Sequence, residues 1–332
     1  MSERLIGVDV GGTKVSVAAL RDGELTEPTL HPTEHAGADQ LIEQLTVAVQ
    51  DALRTHGGDA VGIGIPSVIE FSTGRVRSSV NVPLQDVALR SVMQERVDVP
   101  VLVDNDATCA ALAEAHGGGA ELEVANLVML TLGTGVGGGI VIGGRIYRGS
   151  TGAAGELGHT LIGAALQDGA PAHAEHFPQP GSLERLAAGR ALDELAESSA
   201  TQHPESALGR LRAQGKPVAG PDCVSAAQAG DEHACAALAT LGGRLGVGIA
   251  NVINTFDPDV VAIGGGVSAA GELLLDPARK AAARFVLPGV GARTEIRLAR
   301  SGPKAGVLGA ALLAREELAG VRHPLAAGEL AG

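Results

Sequence analysis

Aromatic side chains are scarce in this chain: 2% of 332 residues, with no tryptophan, one tyrosine and four phenylalanines. Sites that stack nucleic-acid bases, or that cage a cation between rings, need more than this. Cysteine is nearly absent too. Cys109, Cys223 and Cys235 are too few and too scattered for a disulfide framework or a thiolate metal site. Each reads as a small core residue in a reducing compartment. No long basic run occurs and the formal net charge is −13. That argues against nucleic acid as a partner, while a basic pocket for a single nucleotide stays compatible with it. No apolar run of bilayer length and no secretory leader are visible, because the N-terminus enters a strand at once. The expectation is a cytoplasmic protein without a membrane partner. The pattern G-x-x-x-x-G-K-[ST] is also missing, which excludes a P-loop enzyme.

What is abundant is glycine, with 48 residues clustered at strand ends. They read as ligand loops and close packing, not as a linker. The length suggests two domains.

The chain is organised around Leu5-Ile-Gly-Val-Asp9-Val-Gly11-Gly12-Thr13-Lys14-Val-Ser-Val-Ala-Ala-Leu20. Ile6, Val8 and Val10, then Val15 and Val17, predict a hairpin. By itself this fits an ordinary hairpin as well as a phosphate seat. As a seat, Gly11 and Gly12 let backbone N–H groups approach an anion, and Thr13 adds a hydroxyl. Asp9 would repel a bare phosphate, so it is assigned to Mg²⁺, directly or through water. Lys14 either neutralises phosphate or is simply solvated.

Further along, Leu41, Ile42, Leu45, Val49 and Leu53 predict an amphipathic helix over Ala38 to Thr55, ended by Gly57-Gly58. Ala60 to Pro66 reads as a buried strand, and Ser79 to Pro83 as extended. Val87 to Val97 reads as a helix, and Pro100 to Asp104 as an all-apolar central strand. Asn105-Asp106 and a helix from Ala107 to His116 follow. Residues 117–121 look like a crossing between domains. The second half repeats the opening logic: a strand Asn126 to Leu132, a turn Gly133 to Gly139, a strand Ile140 to Ile142. A single helix is expected from Ser182 to Ala196, a loop over 163–181, and Ser225 as an N-cap for Ala226 to Gly230. A helix Glu232 to Phe256, a buried strand Asp259 to Ile263, a helix Leu273 to Phe285, a strand Glu295 to Leu298 and a closing helix Lys304 to Leu318 complete the reading; the last dozen residues are expected to fray.

Gly133-Thr134-Gly135-Val136-Gly137-Gly138 matches G-x-G-x-x-G, but a strand follows where a dinucleotide fold needs a helix. What remains is a set: a carboxylate with a Gly-Gly-Thr turn, a Gly-Thr-Gly turn, Gly264-Gly265-Gly266 suited to a base or ribose, and Asp106 after a central strand. Ligands of open α/β sheets bind at such strand ends. A carboxylate there can take the proton of an attacking hydroxyl in phosphoryl transfer, a role worth ~10²–10⁴-fold.

Asp9-Val-Gly-Gly-Thr13-Lys, Asp104-Asn105-Asp106-Ala107, Leu132-Gly-Thr-Gly-Val-Gly-Gly-Gly139 and Gly155-Glu156-Leu-Gly-His159, in this order, resemble the ROK family of bacterial sugar kinases and repressors across about residues 5–315. The resemblance implies an actin/hexokinase-like α/β fold, two RNase H-like lobes around a central cleft. The lobes are placed at 1–118, joined by the C-terminal helix at about 304–320, and at 119–303. It implies ATP and Mg²⁺ as cofactors, a homodimer, and phosphorylation of glucose at its 6-hydroxyl. Asp106 would be the base. Asn105, Asp106, Glu156, His159 and Glu184 would bind the sugar, with Asn81 as a weaker candidate. Asp9, Gly11, Gly12, Thr13, Lys14, Gly133, Thr134, Gly135, Gly264, Gly265 and Gly266 would hold the nucleotide. Glu184 also suits the first turn of a helix, and Asp104 reads as a structural hydrogen-bonder.

One departure from the family is plain. Its members follow the histidine with three zinc-binding cysteines, and none occurs here between residues 110 and 222. Glu175, Phe177 and Ser182 stand at those positions, with His173 and His176 nearby as nitrogen donors alongside His159. No structural zinc is expected, which bears on sugar affinity more than on catalysis. The alternatives are a kinase for another sugar (fructose, mannose, allose, an N-acetylated amino sugar), one using polyphosphate, or a sugar-sensing repressor. The last lacks room for a DNA-reading domain before Leu5.

Overall fold

The computed structural model describes residues 3–79, 81–163, 166–167 and 169–322. It divides into two compact units: one of the chain up to Ala125, Gly139–Gly155 and the part from Arg300 onward, the other of Asn126–Gly138 and Glu156–Ala299. Residues 139–155, which the sequence division groups with the second half, belong to the first unit.

The first unit opens with β1 (Arg4–Val10), β2 (Lys14–Arg21), β3 (Glu24–Leu25) and β4 (Thr29–Pro32), then α1 (Ala38–His56) and β5 (Ala60–Ile65). A small hairpin of β6 (Ser67–Glu70) and β7 (Arg75–Ser79), α2 (Leu89–Gln94), β8 (Val101–Asn105) and α3 (Asp106–Ala115) follow. The sheet order is β3-β2-β1-β5-β8, with β4 also on β2. β1 and β2 are antiparallel, whereas β5 and β8 run parallel to β1 and to each other in turn. Parallel pairing sends the ends of β1, β5 and β8 to one edge: Asp9 pairs with Gly64, and Gly64 with Asp104.

The second unit begins with β9 (Leu127–Leu132) and β10 (Val136–Ile142); β10 carries the chain back to the first unit, where β11 (Arg145–Ile146) pairs with it. Short strands β12 (Leu166–Gln167) and β13 (Ala170–Pro171) form a hairpin where only loop is expected. Then come α4 (Leu183–Ala187), α5 (Gly189–Gln202), α6 (Ala207–Ala213), α7 (Gly220–Gln228), α8 (Glu232–Phe256), β14 (Val260–Gly264), α9 (Glu272–Ala282) and β15 (Glu295–Leu298). The sheet order is β11-β10-β9-β14-β15, with β14 parallel to both β9 and β15. Three hairpin-linked strands and then two parallel ones, in the spatial order 3-2-1-4-5, therefore occur twice. This is the duplicated RNase H-like, actin-like fold that the resemblance implies.

The closing helix α10 (Ala305–Arg322) belongs to the first unit and packs on its sheet. Glycines in the strands make that approach possible. A Cβ at Gly7 would collide with the Val307 carbonyl, and one at Gly62 with the Ala310 carbonyl. Below the sheet, Leu41, Ile42, Leu45 and Val49 of α1 pack with Ile6, Val8, Ile63 and Val103 in one buried cluster. Close burial of branched apolar side chains on both faces explains why these strands lack period-two alternation.

Several local expectations are corrected. The helix expected from Ser182 to Ala196 is two helices, because Ala188 is extended and the Gly189 N–H donates to the Gly133 carbonyl at 2.8 Å instead of continuing the helix. Ser225 lies inside α7 and does not cap it. Val87 bridges to Val76, which leaves α2 only six residues. Strand β10 starts at Val136, so Gly137–Gly139 lie in the strand and the turn is confined to residues 133–135. Finally, α8 has the length and composition to cross a membrane, contrary to the sequence reading, yet 61% of its apolar window is buried within the fold, where it packs along α9. Val80 and the end of the chain beyond residue 322, for which extended and frayed backbone are expected, lie outside the described residues.

Candidate functional site

In the first unit the candidate residues converge on one sheet edge. The Gly-Gly turn between β1 and β2 is closed by the Gly11 N–H donating to the Lys14 carbonyl at 2.8 Å. Two residues that sequence reasoning missed hold it from outside. The Thr33 hydroxyl donates to the Gly11 carbonyl at 2.7 Å, and His35 Nε2 meets the Gly12 carbonyl at 2.8 Å. With those carbonyls tied back, Gly12 and exposed Thr13 face outward. Asn81 lies against this turn: a Cβ at Gly12 would stand 3.5 Å from that of Asn81.

Asp9 is half-buried by its exposed surface and deep within the protein by its surroundings. Burial, and to a lesser degree the charge of Asp106, push its carboxyl up to about 6, against a partial offset from Lys14. The neighbouring Asp106 charge thus disfavours ionisation of Asp9. Gly64 lies between the strands that carry them, with Cys109 Sγ and the Asp106 backbone next to it. The first turn of α10 abuts Asp9 so closely that a side chain at Gly306 would strike its carboxylate. Asp106 opens α3, and its Oδ1 accepts the Ala107 N–H at 2.9 Å. Asn105 is the N-cap: its Oδ1 accepts the Thr108 N–H at 3.1 Å, and its Nδ2 donates to the Ser67 carbonyl at 3.3 Å. Capping fixes the strand-to-helix corner and aims Asp106 at the edge rather than the core. Asp104 is buried and ion-paired with Arg148 Nε at 2.8 Å. The sequence carried no signal for Arg148, whose partner lies 44 residues away.

In the second unit the strand ends carry glycine instead of charge. Gly133 N–H donates to the Gly135 carbonyl at 2.9 Å, a tight turn with Thr134 at its exposed tip. Gly264 ends β14 opposite Thr131. Gly265 has φ +84° and lies on Leu132, so that any Cβ there would overlap the Leu132 backbone. Residues 133–135 and 264–266 are thereby brought together, as the sequence set them side by side without showing it. Glu184, in the first turn of α4, spends one oxygen on this turn: Oε2 accepts the Val136 N–H at 2.8 Å, and a side chain at Gly135 would overlap its carboxylate. Its other oxygen has no hydrogen-bond partner among the described residues. Glu156 is exposed, 3.8 Å from His159 Nε2.

At two of the positions where the family resemblance places zinc-binding cysteines, other side chains make different contacts. Phe177 meets the His159 ring edge-on, with centroids 5.2 Å apart and planes at 78°. Ser182 is buried and caps α4 by accepting the Arg185 N–H at 3.2 Å. An aromatic edge and a helix cap occupy two positions where thiolates would stand, so the donor set does not fit a structural zinc. Among the described residues the one trio of His and acid groups with ligand atoms within 4.8 Å is His203, Glu205 and His233, elsewhere in the second unit. Its two rings stack 3.6 Å apart at 11°, and a nitrogen of each lies 3.7 Å from Glu205 Oε1. Cys109 and Cys223 are buried, and burial pushes both thiols up, as inert core residues.

Known proteins share this arrangement. The glucokinase of Halalkalibacterium halodurans is 37% identical over 328 residues, 96% of this chain and 97% of that protein. An N-acetyl-D-glucosamine kinase of Escherichia coli is 32% identical over 92% of this chain and 98% of its own length. The crystal structure of a ROK family glucokinase from Streptomyces griseus, in complex with glucose and AMPPNP, superposes with a TM-score of 0.76 at 34% identity, covering 94% of this chain and 99% of that one. The ROK family model matches residues 5–317, and the chain, with its Asp-Val-Gly-Gly-Thr hairpin, Asn-Asp corner and Gly-Thr-Gly turn in family order, belongs to the ROK family.

Proposed function

We propose that this protein is an ATP-dependent hexose kinase, a glucokinase that transfers the γ-phosphoryl group of ATP to the 6-hydroxyl of glucose. The observation that carries this reading is the electrostatic coupling of half-buried Asp9 to Asp106 at one strand edge, in a chain so similar to a glucokinase captured with glucose and a nucleotide. Asp106 accepts the proton of the sugar hydroxyl as it attacks. Asn81, Asn105, Glu156, His159 and the free oxygen of Glu184 bind sugar hydroxyls, so that an analogue lacking one leaves a protein group unpaired. Phosphate oxygens are held by backbone N–H groups and hydroxyls at Gly11, Gly12, Thr13, Gly133, Thr134 and Gly135, with Lys14 as a point charge. Gly264, Gly265 and Gly266 offer a bare backbone to the base or ribose.

A divalent cation fits Asp9, because two carboxylates whose charges oppose each other gain from a positive charge nearby. When bound, Mg²⁺ neutralises triphosphate charge. The three thiolates of a family-type structural zinc site have no counterpart at Glu175, Phe177 and Ser182. A cytoplasmic homodimer completes the proposal.

The test is a panel of hexoses and N-acetylated hexosamines against ATP and polyphosphate, with Mg²⁺ present. Glucose with ATP is expected to give the highest kcat/KM. No phosphorylation of any sugar would overturn the kinase reading. A preference of more than about tenfold for an N-acetylated sugar would instead favour the activity that the Escherichia coli relative bears by name.

A further inference from the structure

Asp104 ends β8 with 1% of its surface exposed. A carboxylate this far from water is unfavourable unless it is paired and fully hydrogen-bonded. Both of its oxygens are engaged. Oδ1 accepts the Asn105 N–H at 2.8 Å, and Oδ2 accepts Arg148 Nε at 2.8 Å. Arg148 follows β11 and is itself mostly buried. Its guanidinium lies over the Phe71 ring, 3.5 Å from the centroid, which fixes the plane of the fork. Arg90 helps to hold that residue: its guanidinium lies 5.3 Å from the ring centroid and donates to the Phe71 carbonyl at 2.6 Å.

The chain runs from Asp104 through the cap Asn105 to Asp106. Rotation of the Asp104–Asn105 peptide therefore turns the corner from which Asp106 projects. The Asp104 carboxylate holds that peptide's N–H, and Arg148 holds the carboxylate. Arg148 also accepts the Ala154 N–H on its own carbonyl at 3.0 Å, closing the loop that precedes Gly155 and Glu156 in the chain.

We propose that Arg148 is a positioning residue for phosphoryl transfer: through Asp104 it fixes the strand-to-helix corner that aims Asp106, without touching sugar or nucleotide itself. The role rests on the kinase reading above. A buried ion pair is weak evidence for stability alone, since apolar replacements often serve as well. Its geometry here, stacked on one side and hydrogen-bonded to the peptide before the base on the other, serves direction.

The test compares R148M, R148K, D104N and the double variant D104N/R148M with the wild type for kcat, KM for sugar and ATP, the kcat–pH profile and the thermal midpoint. R148M is expected to lower kcat about 10–100-fold with KM for ATP within threefold. It is also expected to move the acid limb of the profile to higher pH, because the uncompensated Asp104 charge then opposes ionisation of Asp106. R148K, which keeps the charge but not the stacked fork, is expected to lose about 3–10-fold in kcat. The double variant, free of an unpaired buried charge, is expected to regain the wild-type midpoint while kcat stays at least about fivefold down. Recovery of kcat together with stability would mean a purely structural pair and overturn the role. So would wild-type kcat and pH profile in R148M. If R148M does not fold, R148K decides by the same readouts. A wild-type protein that phosphorylates no sugar would instead bring down the kinase reading, and this role with it.

Discussion

The two units share a strand order and differ at the strand ends. Between β1 and β5 the last parallel register pair is Asp9 with Gly64; between β9 and β14, the matching strands of the second unit, it is Thr131 with Gly264. The first edge carries three aspartates, at 9, 104 and 106, and the second carries glycines at 133, 135 and 264–266. One topology thus supports two chemistries. Charge collected at a strand edge can bind a cation and move a proton. Bare backbone at the equivalent edge can lie flat against a ligand. The sheets set where each edge is, and the side chains at the last register position decide what it does.

The sharpest way to break this contrast is Asp106→Asn, which keeps shape and removes the base. A fall in kcat of at least ~100-fold with sugar KM nearly unchanged is expected. Turnover close to wild type would remove Asp106 from the chemistry altogether.

Asp9→Asn separates function from stability. The Asp9 carboxyl is raised from 3.8 to about 6 by burial and by Asp106. The folded state therefore holds this proton more tightly than the unfolded state does. Its contribution to stability is full below about 4, declines as pH rises toward 6, and is gone above. The neutral isostere avoids that loss. D9N is expected to be more stable than wild type by about 2–3 kcal/mol at pH 7.5, with the gain vanishing near pH 4, and to lose at least ~10-fold in activity. Urea midpoints across that pH range read the effect, and a pH-independent difference between the two proteins would refute the buried-charge argument.

On the glycine side, Gly135→Ala would push a methyl group into the Glu184 carboxylate that holds Val136. A rise in KM for ATP of about 10-fold, with a stability loss of ~1–3 kcal/mol, is the expected result. Unchanged nucleotide affinity would show that the turn does not face the phosphates.

The smallest effect belongs to the zinc-less region. Phe177→Ala removes an edge contact worth ~0.5–1.5 kcal/mol from His159, so glucose KM should rise about 2–10-fold. Elemental analysis of the wild type should find no stoichiometric zinc. One zinc per chain would contradict the aromatic substitution and implicate His159, His173 and His176.

Motifs made of neighbouring residues were legible in the sequence. The hairpin at Asp9, the Asn105–Asp106 corner, the Gly-Thr-Gly turn and the duplicated halves all rest on local pattern, and the family match spans them. Contacts between distant residues were not. The helix break at Ala188 depends on Gly133, 56 residues before Gly189 in the numbering and joined to it by one hydrogen bond. Thr33 and His35 carry no motif of their own, and they matter only because the chain folds them onto the turn carbonyls. Arg148 is an ordinary basic residue in sequence until Asp104 and Phe71 are placed against it.

Sequence alone determined which backbone segments could be strands, helices and bare turns, because apolar period, glycine and capping residues act over a few positions. It also fixed the types of groups available: aspartates for one edge, glycines for the other, and no thiolates for zinc. Only the tertiary structure decided how those groups are charged and aimed. Burial and the charge of Asp106 set the proton affinity of Asp9, and a remote guanidinium fixes the corner that carries Asp106. Desolvation and ion pairing depend on distance in space, which no spacing along the chain encodes.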